Sequence, residues 1–195
     1  MVEPIRYNPD RHNRRSIRLR GYDYTRAGAY FITICTHNRA SLFGNIHNGA
    51  MYLNDWGRIV ADAWIAIPDH FPHATPDAFV VMPNHVHGVV WLRTAGDDAS
   101  VLTDDGRGEA CLAPTDATSN QKSGFKTHSV ASIVASFKSA VTKRINESRG
   151  MRGVTVWQRN FYEHIIRDDS ALHGIRRYIR DNPVQWSADD LFVPR

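Results

Sequence analysis

The chain has 195 residues, 42% of them hydrophobic, with a formal net charge of +4, enough apolar material for one sizeable core in one domain. Two cysteines, Cys35 in an apolar run and Cys111 in a polar stretch, exclude a disulfide framework and a CxxC zinc pair and point to a reducing cytoplasm. The longest apolar runs, such as Ala78–Met82, fall far short of a membrane span, so neither export nor membrane insertion is expected.

Charge is spread unevenly. Residues 94–124 hold six acids against two bases, a net of −4, which leaves +8 on the rest of the chain. A basic body of that size attracts polyanions, nucleic acid foremost. The first twenty residues carry six arginines, among them Arg14, Arg15, Arg18 and Arg20, and read as a basic arm ahead of a single domain over 21–195. Ala29 to Thr36, rich in aromatic and β-branched residues, reads as a buried strand. Leu42 to Ile46 and Met51 to Leu53 flank Asn48-Gly49, the strongest short hairpin signal. Trp56, Ile59, Val60, Ala63, Trp64 and Ile67 fall at helical spacing, with Asn54 or Asp55 as cap and Pro68 as stop.

Phe79 to Met82 and His85 to Leu92 read as two central strands joined at Pro83-Asn84. Residues 94–127 lose all periodicity and are rich in Gly, Asp, Ser and Thr, the composition of a mobile surface insertion. Ser129 then caps a helix with Val130, Ile133, Val134, Phe137, Val141 and Ile145 on one stripe. Val154 to Trp157 and Phe161 to Ile166 make a last strand region, and a third helix runs from about Ser170 to Asp181, before Asn182-Pro183. This order predicts an α+β fold, a ferredoxin-like sandwich in which helices cover one face of a mostly antiparallel sheet.

Two constellations carry chemistry. Alternation along a strand turns His85 and His87 to one face, where two neutral imidazoles can share a divalent metal. Two ligands do not complete a shell, and the chain has ten histidines. Tyr178 and Asn182 lie one helical turn apart on the third helix. Alone, they match the stripe by which any helix docks on a sheet.

Read together, these stretches resemble the single-tyrosine HUH transposases, specifically the REP-associated tyrosine transposases. The resemblance rests on Gly21-Tyr22-Asp23-Tyr24, Tyr30-Phe31-Ile32-Thr33, Val80 to His87 with its Met-Pro-Asn-His-Val-His core, Phe137-Lys138-Ser139, Trp157 to Arg167, and Tyr178-Ile179-Arg180-Asp181-Asn182-Pro183. It covers roughly 14–93 and 128–190. It implies a nuclease that cuts single-stranded DNA through a 5′-phosphotyrosine, with Tyr178 as nucleophile and Mg²⁺ or Mn²⁺ on His85, His87 and Asn182. Tyrosine is protonated at neutral pH and needs help to attack, and a covalent intermediate keeps the phosphodiester energy for rejoining.

The implied ligand is a single strand or a hairpin of the repetitive extragenic palindrome type, met in the cytoplasm at the nucleoid by a monomer or homodimer. Arg14, Arg15, Arg18, Arg20, Lys138, Lys143, Arg144 and Arg159 are the candidate cations for it. Tyr162, in a strand-like segment without a metal-ligand partner at helical spacing, reads as structural or DNA-stacking rather than as the nucleophile. The alternative function is a ferredoxin-like nucleic-acid-binding module without catalysis.

Overall fold

In chain order the structure, a computed structural model, forms β1 (Gly28–Cys35), a hairpin of β2 (Gly44–His47) and β3 (Ala50–Leu53), helices α1 (Asp55–Ile65) and α2 (Ile67–His70), β4 (Ala74–Met82), β5 (His85–Leu92), α3 (Val130–Ser148), β6 (Tyr162–Ile166) and α4 (Asp169–Asp181). It describes residues 22–93 and 128–192. The expected basic arm, with Arg14, Arg15, Arg18 and Arg20, and the expected insertion at 94–127 lie outside the described residues.

Four strands build one sheet in the order β4-β5-β1-β6, every pairing antiparallel. With the β2–β3 hairpin set aside, the succession through β6 is β-α-β-β-α-β with β1 and β5 central. This is the ferredoxin-like α+β arrangement that the sequence predicts.

Local chemistry accounts for the elements. Asn48 (φ 49°) and Gly49 (φ 73°) supply the left-handed pair that a two-residue hairpin turn needs. Asn54, Ser129 and Asp168 cap α1, α3 and α4, each side chain accepting from the backbone N–H three residues on. Pro68 is not the stop that it reads as in sequence. The helix ends at Ile65, and Pro68 sits in the first turn of α2, where its missing N–H costs nothing. The expected strand over 154–157 reduces to one antiparallel bridge, Thr36 to Trp157. Beyond Thr36 the chain turns through Asn38 and Arg39, both at positive φ, so nothing remains there to pair with.

Alternation gives the sheet two apolar faces. Tyr30, Ile32, Ile34, Val86 and Val90 pack with Val60 and Trp64 of α1 and with Ile133, Phe137 and Val141 of α3. Ala29, Phe31, Val80, Val89 and Ile166 pack instead with Leu172, Ile175 and Ile179 of α4. The first two long helices share one face as expected, and α4 lies across the other. That second placement follows from β5, whose residues from His85 to Val90 are all buried, as a strand covered on both sides must be.

Gly88 makes the first face possible. A Cβ there would stand 2.2 Å from the Trp64 ring, itself 1% exposed. Gly88→Ala should therefore cost about 1–3 kcal/mol through overpacking beside His87, read as a lowered midpoint in chemical denaturation. An unchanged midpoint would mean that the Trp64 ring has room to move.

Candidate active site on the α4 face of the sheet

His85 and His87 point from β5 toward α4, with exposures of 0% and 3% and ring centroids 4.4 Å apart. Each is oriented by a neighbour. Asn84 donates through Nδ2 to the carbonyls of Arg39 (3.2 Å) and Leu191 (2.8 Å). Its Oδ1 therefore accepts from His85 Nδ1, at 2.8 Å. That assignment puts the proton of His85 on Nδ1 and leaves the Nε2 lone pair, which is buried and without a partner, aimed into the site.

On the adjacent strand Thr33 stands opposite His87, and its Oγ1 lies 2.8 Å from His87 Nδ1. Tyr178 Oη lies 3.2 Å from His87 Nε2. Burial pushes His87 down to about 4, against a smaller opposing effect of Asp189. Burial, then the neighbouring His87 and Arg39, push His85 down to about 2. Both rings are thus neutral near pH 7, the state in which imidazole binds metal. Burial first, and the charge of Asp189 second, raise the Tyr178 phenol, which stays protonated while it shares a hydrogen bond with His87 Nε2.

Asn182 follows the last residue of α4 and is 2% exposed. Its Nδ2 donates to Asp189 Oδ2 at 2.9 Å, and its Oδ1 is buried with no partner. Donor atoms of His85, His87 and Asp189 all fall within 4.8 Å of one another. Two orphaned buried acceptors, His85 Nε2 and Asn182 Oδ1, beside a carboxylate form a donor set that suits a divalent cation. Asp189 is the member that sequence reasoning missed. It follows a 3-10 turn at Trp186–Ala188, where no periodicity marks a facing residue, and Asp189-Asp190 reads as a solvated pair. Its only sequence signal is its nearness to Asn182-Pro183.

The candidate cations are dispersed. Lys138, Lys143 and Arg159 line an open groove of about 530 Å³ between α3 and the 153–159 segment, apart from Tyr178, while Arg144 is exposed on α3 outside that lining. The ammonium of Lys138 donates to the carbonyls of Gln158 (2.7 Å) and Asn160 (3.0 Å), and burial lowers it to about 8. It ties α3 to that segment. Sequence reasoning did not single out Arg176, Arg177 and Arg180, which line the outer surface of α4 with His173.

No family model matches the chain. It is 41% identical over 189 residues to an uncharacterized protein of Haemophilus influenzae, covering 96% of this chain and 98% of that one. It is 26% identical over 167 residues to a second protein of that organism, named "Putative REP-associated tyrosine transposase", covering 84% of this chain and 74% of the relative. Among solved structures it matches a REP-associated tyrosine transposase bound to a REP hairpin, with TM-score 0.50 and 22% identity, over 88% of this chain and 74% of that one. The chain is similar to the REP-associated tyrosine transposases. The fold that it shares with that solved transposase is the antiparallel sheet with helices packed against it.

Asp77 ties α4, and with it Tyr178, to β4. Its carboxylate accepts from Arg176 Nε (3.0 Å) and Nη2 (2.5 Å) on α4 and from Trp91 Nε1 (2.9 Å) on β5. Those bonds, Arg176's first, hold the Asp77 carboxyl at about 2, below its ordinary 3.8. A depressed carboxylate stabilises the fold above its unfolded pKa and loses that contribution as pH falls through the folded one. With Arg176 40% exposed, Asp77→Asn should cost roughly 1 kcal/mol near neutral pH. The difference from the parent should fade between pH 4 and pH 2. Denaturation series at several pH values check this, and a pH-independent difference would assign the loss to packing.

Proposed function

We propose that the chain cleaves and rejoins single-stranded DNA, with the phenolic oxygen of Tyr178 attacking a phosphodiester to give a 5′-phosphotyrosine and a free 3′-OH. One observation carries this reading. The half-exposed tyrosine on α4 is hydrogen-bonded to a buried histidine pair whose site also holds two unpartnered acceptors. A structural tyrosine would not call for such neighbours.

The new bond is P–O to Tyr178, and the bond that breaks is P–O3′. The departing 3′ oxygen takes up a proton, balancing the one that the phenol gives up. Because the phosphoryl group stays covalently bound, a later 3′-OH reverses the exchange without an external energy source. His85, His87 and Asn182 are the residues that would hold Mg²⁺ or Mn²⁺, with Asp189 beside them. Such an ion supplies a Lewis acid for the phosphoryl oxygens and charge stabilisation in the transition state. Asn84 keeps the His85 tautomer that leaves its Nε2 free, and Thr33 holds the His87 ring in place.

The hairpin in the solved transposase supports a hairpin with a single-stranded flank as the ligand here. Lys143, Arg144 and Arg159 are the described cations proposed for its phosphates, with Lys138 shaping the groove, and Arg14, Arg15, Arg18 and Arg20 join them from the arm. A binding module without catalysis would use an open sheet face. Among the described residues, α4 covers the middle of the face that bears Phe31.

The deciding experiment is incubation with labelled hairpin DNA and Mn²⁺, then denaturing electrophoresis. A slow band removed by protease is expected, absent for Tyr178→Phe, while that variant's DNA affinity stays within about twofold because the ring still packs. An adduct formed by Tyr178→Phe would place the nucleophile elsewhere. DNA binding by the parent with no adduct at all would favour the binding module.

Metal binding is tested separately by calorimetric titration with Mn²⁺ in the absence of DNA. His85→Ala and His87→Ala should abolish the binding isotherm. Asn84→Ala, which leaves both ligands in place but frees the His85 tautomer, should weaken it by roughly 10–100-fold. Parental affinity in all three variants would remove the metal from the scheme.

A further inference from the structure

Among the described residues β6 is an edge strand, paired only with β1. Alternation turns Tyr162, His164 and Ile166 toward the α4 face. Ile166 is covered there by α4, whereas Tyr162 remains 42% exposed, with a large aromatic surface at the rim of the sheet. Its ring meets Phe31 at 6.3 Å and 70°. Phe31 meets the Tyr178 ring at 6.1 Å and 81° and stacks on His87 at 5.4 Å and 25°.

The strand register orders these rings. Tyr162 lies opposite Thr33, and Thr33 lies opposite His87, so Tyr162 and the Tyr178–His87 pair flank β1 from its two sides. Phe31 lies between the two half-exposed tyrosines, and both of their rings are steeply inclined to it. One of those rings bears the proposed nucleophile.

We infer that Tyr162 is a stacking platform for an unpaired nucleobase next to the scissile phosphate, holding the strand beside Tyr178. This rests on the proposed single-strand cleavage. The occupant is a base rather than an apolar side chain because the proposed reaction brings a nucleic-acid strand to Tyr178, and the Tyr162 ring lies across Phe31 from that nucleophile. That strand is single because duplex stacking hides the aromatic faces of the bases, whereas unpaired bases offer them to protein rings.

The test uses the full chain with a metal chelator present, so that binding is read without cleavage. Fluorescence anisotropy compares a thymidine oligonucleotide about twenty residues long, ample for one such site, with a strand of equal length made wholly of abasic residues. Both carry the same phosphates and differ only in bases. Tyr162→Ala should weaken binding of the thymidine strand about tenfold and leave the abasic strand within about twofold. Tyr162→Phe, which keeps the ring, should bind both as the parent does.

Equal loss on both strands would show that the ring merely supports the fold. No loss on either would show that it faces solvent unused. Both results overturn the inference, as would parental affinity that does not distinguish the two strands. The adduct assay separates the readings. A parent that forms the tyrosine adduct while Tyr162→Ala binds normally defeats only the platform, and a parent that forms no adduct defeats the cleavage scheme on which it rests.

Discussion

Everything at the site depends on β5 being buried on both faces. Its alternate residues serve two masters. Val86, Gly88 and Val90 meet α1 and α3, while His85, His87 and Val89 meet α4. Gly88 sets how closely Trp64 approaches from one side, and the Ile175–Ile179 stripe fixes α4 on the other. A shift of one residue in the β5 register would send the imidazoles into the apolar core and the valines into the site. Such a slip would bury two polar rings among groups that cannot hydrogen-bond to them, which costs several kcal/mol. The histidine pair therefore helps to specify the register that it exploits.

Burying polar groups this deeply requires partners for them, and the network provides these selectively. Asn84, Thr33 and Asp189 satisfy His85 Nδ1, His87 Nδ1 and Asn182 Nδ2. What they leave unpaired are acceptors, His85 Nε2 and Asn182 Oδ1. A network built only for stability would not leave buried acceptors at its centre without partners. The neighbouring side chains occupy donors and leave these two acceptors free, an arrangement suited to a cation.

Much of this was legible in the sequence because it rests on short-range rules. The Asn48-Gly49 turn, the caps at Asn54 and Ser129, the shared face of His85 and His87 and the one-turn spacing of Tyr178 and Asn182 all follow from local geometry. The face on which α4 docks did not, since an amphipathic helix shows which side it buries but not against what. Asp189 was invisible for a related reason. It reaches the site through the path of an irregular segment held by Arg39, Asn84 and its own bond to the Leu191 N–H, and no periodicity encodes that path. Lys138 shows the opposite error: a lysine off the apolar stripe reads as a free cation, yet its ammonium is occupied by two carbonyls.

The hydrogen bond between Tyr178 and His87 sets a final constraint. The Nε2 of His87 can hydrogen-bond to the phenol or bind a cation, but it cannot do both at once. Of the groups that share it, the histidine is immobile, fixed by Thr33 at its other nitrogen and by Phe31 across its face. Tyr178 is 43% exposed and stands on the rim of α4. Freeing the phenol therefore requires only rotation of one side chain, or a small shift of a helix whose clamp to β4 is the half-exposed Asp77–Arg176 pair, and it leaves the sheet undisturbed. The rigid half of the site lies on the strands and the movable half on the helix. The reaction proposed for Tyr178, in which one oxygen first attacks and later releases the same phosphoryl group, suits that division.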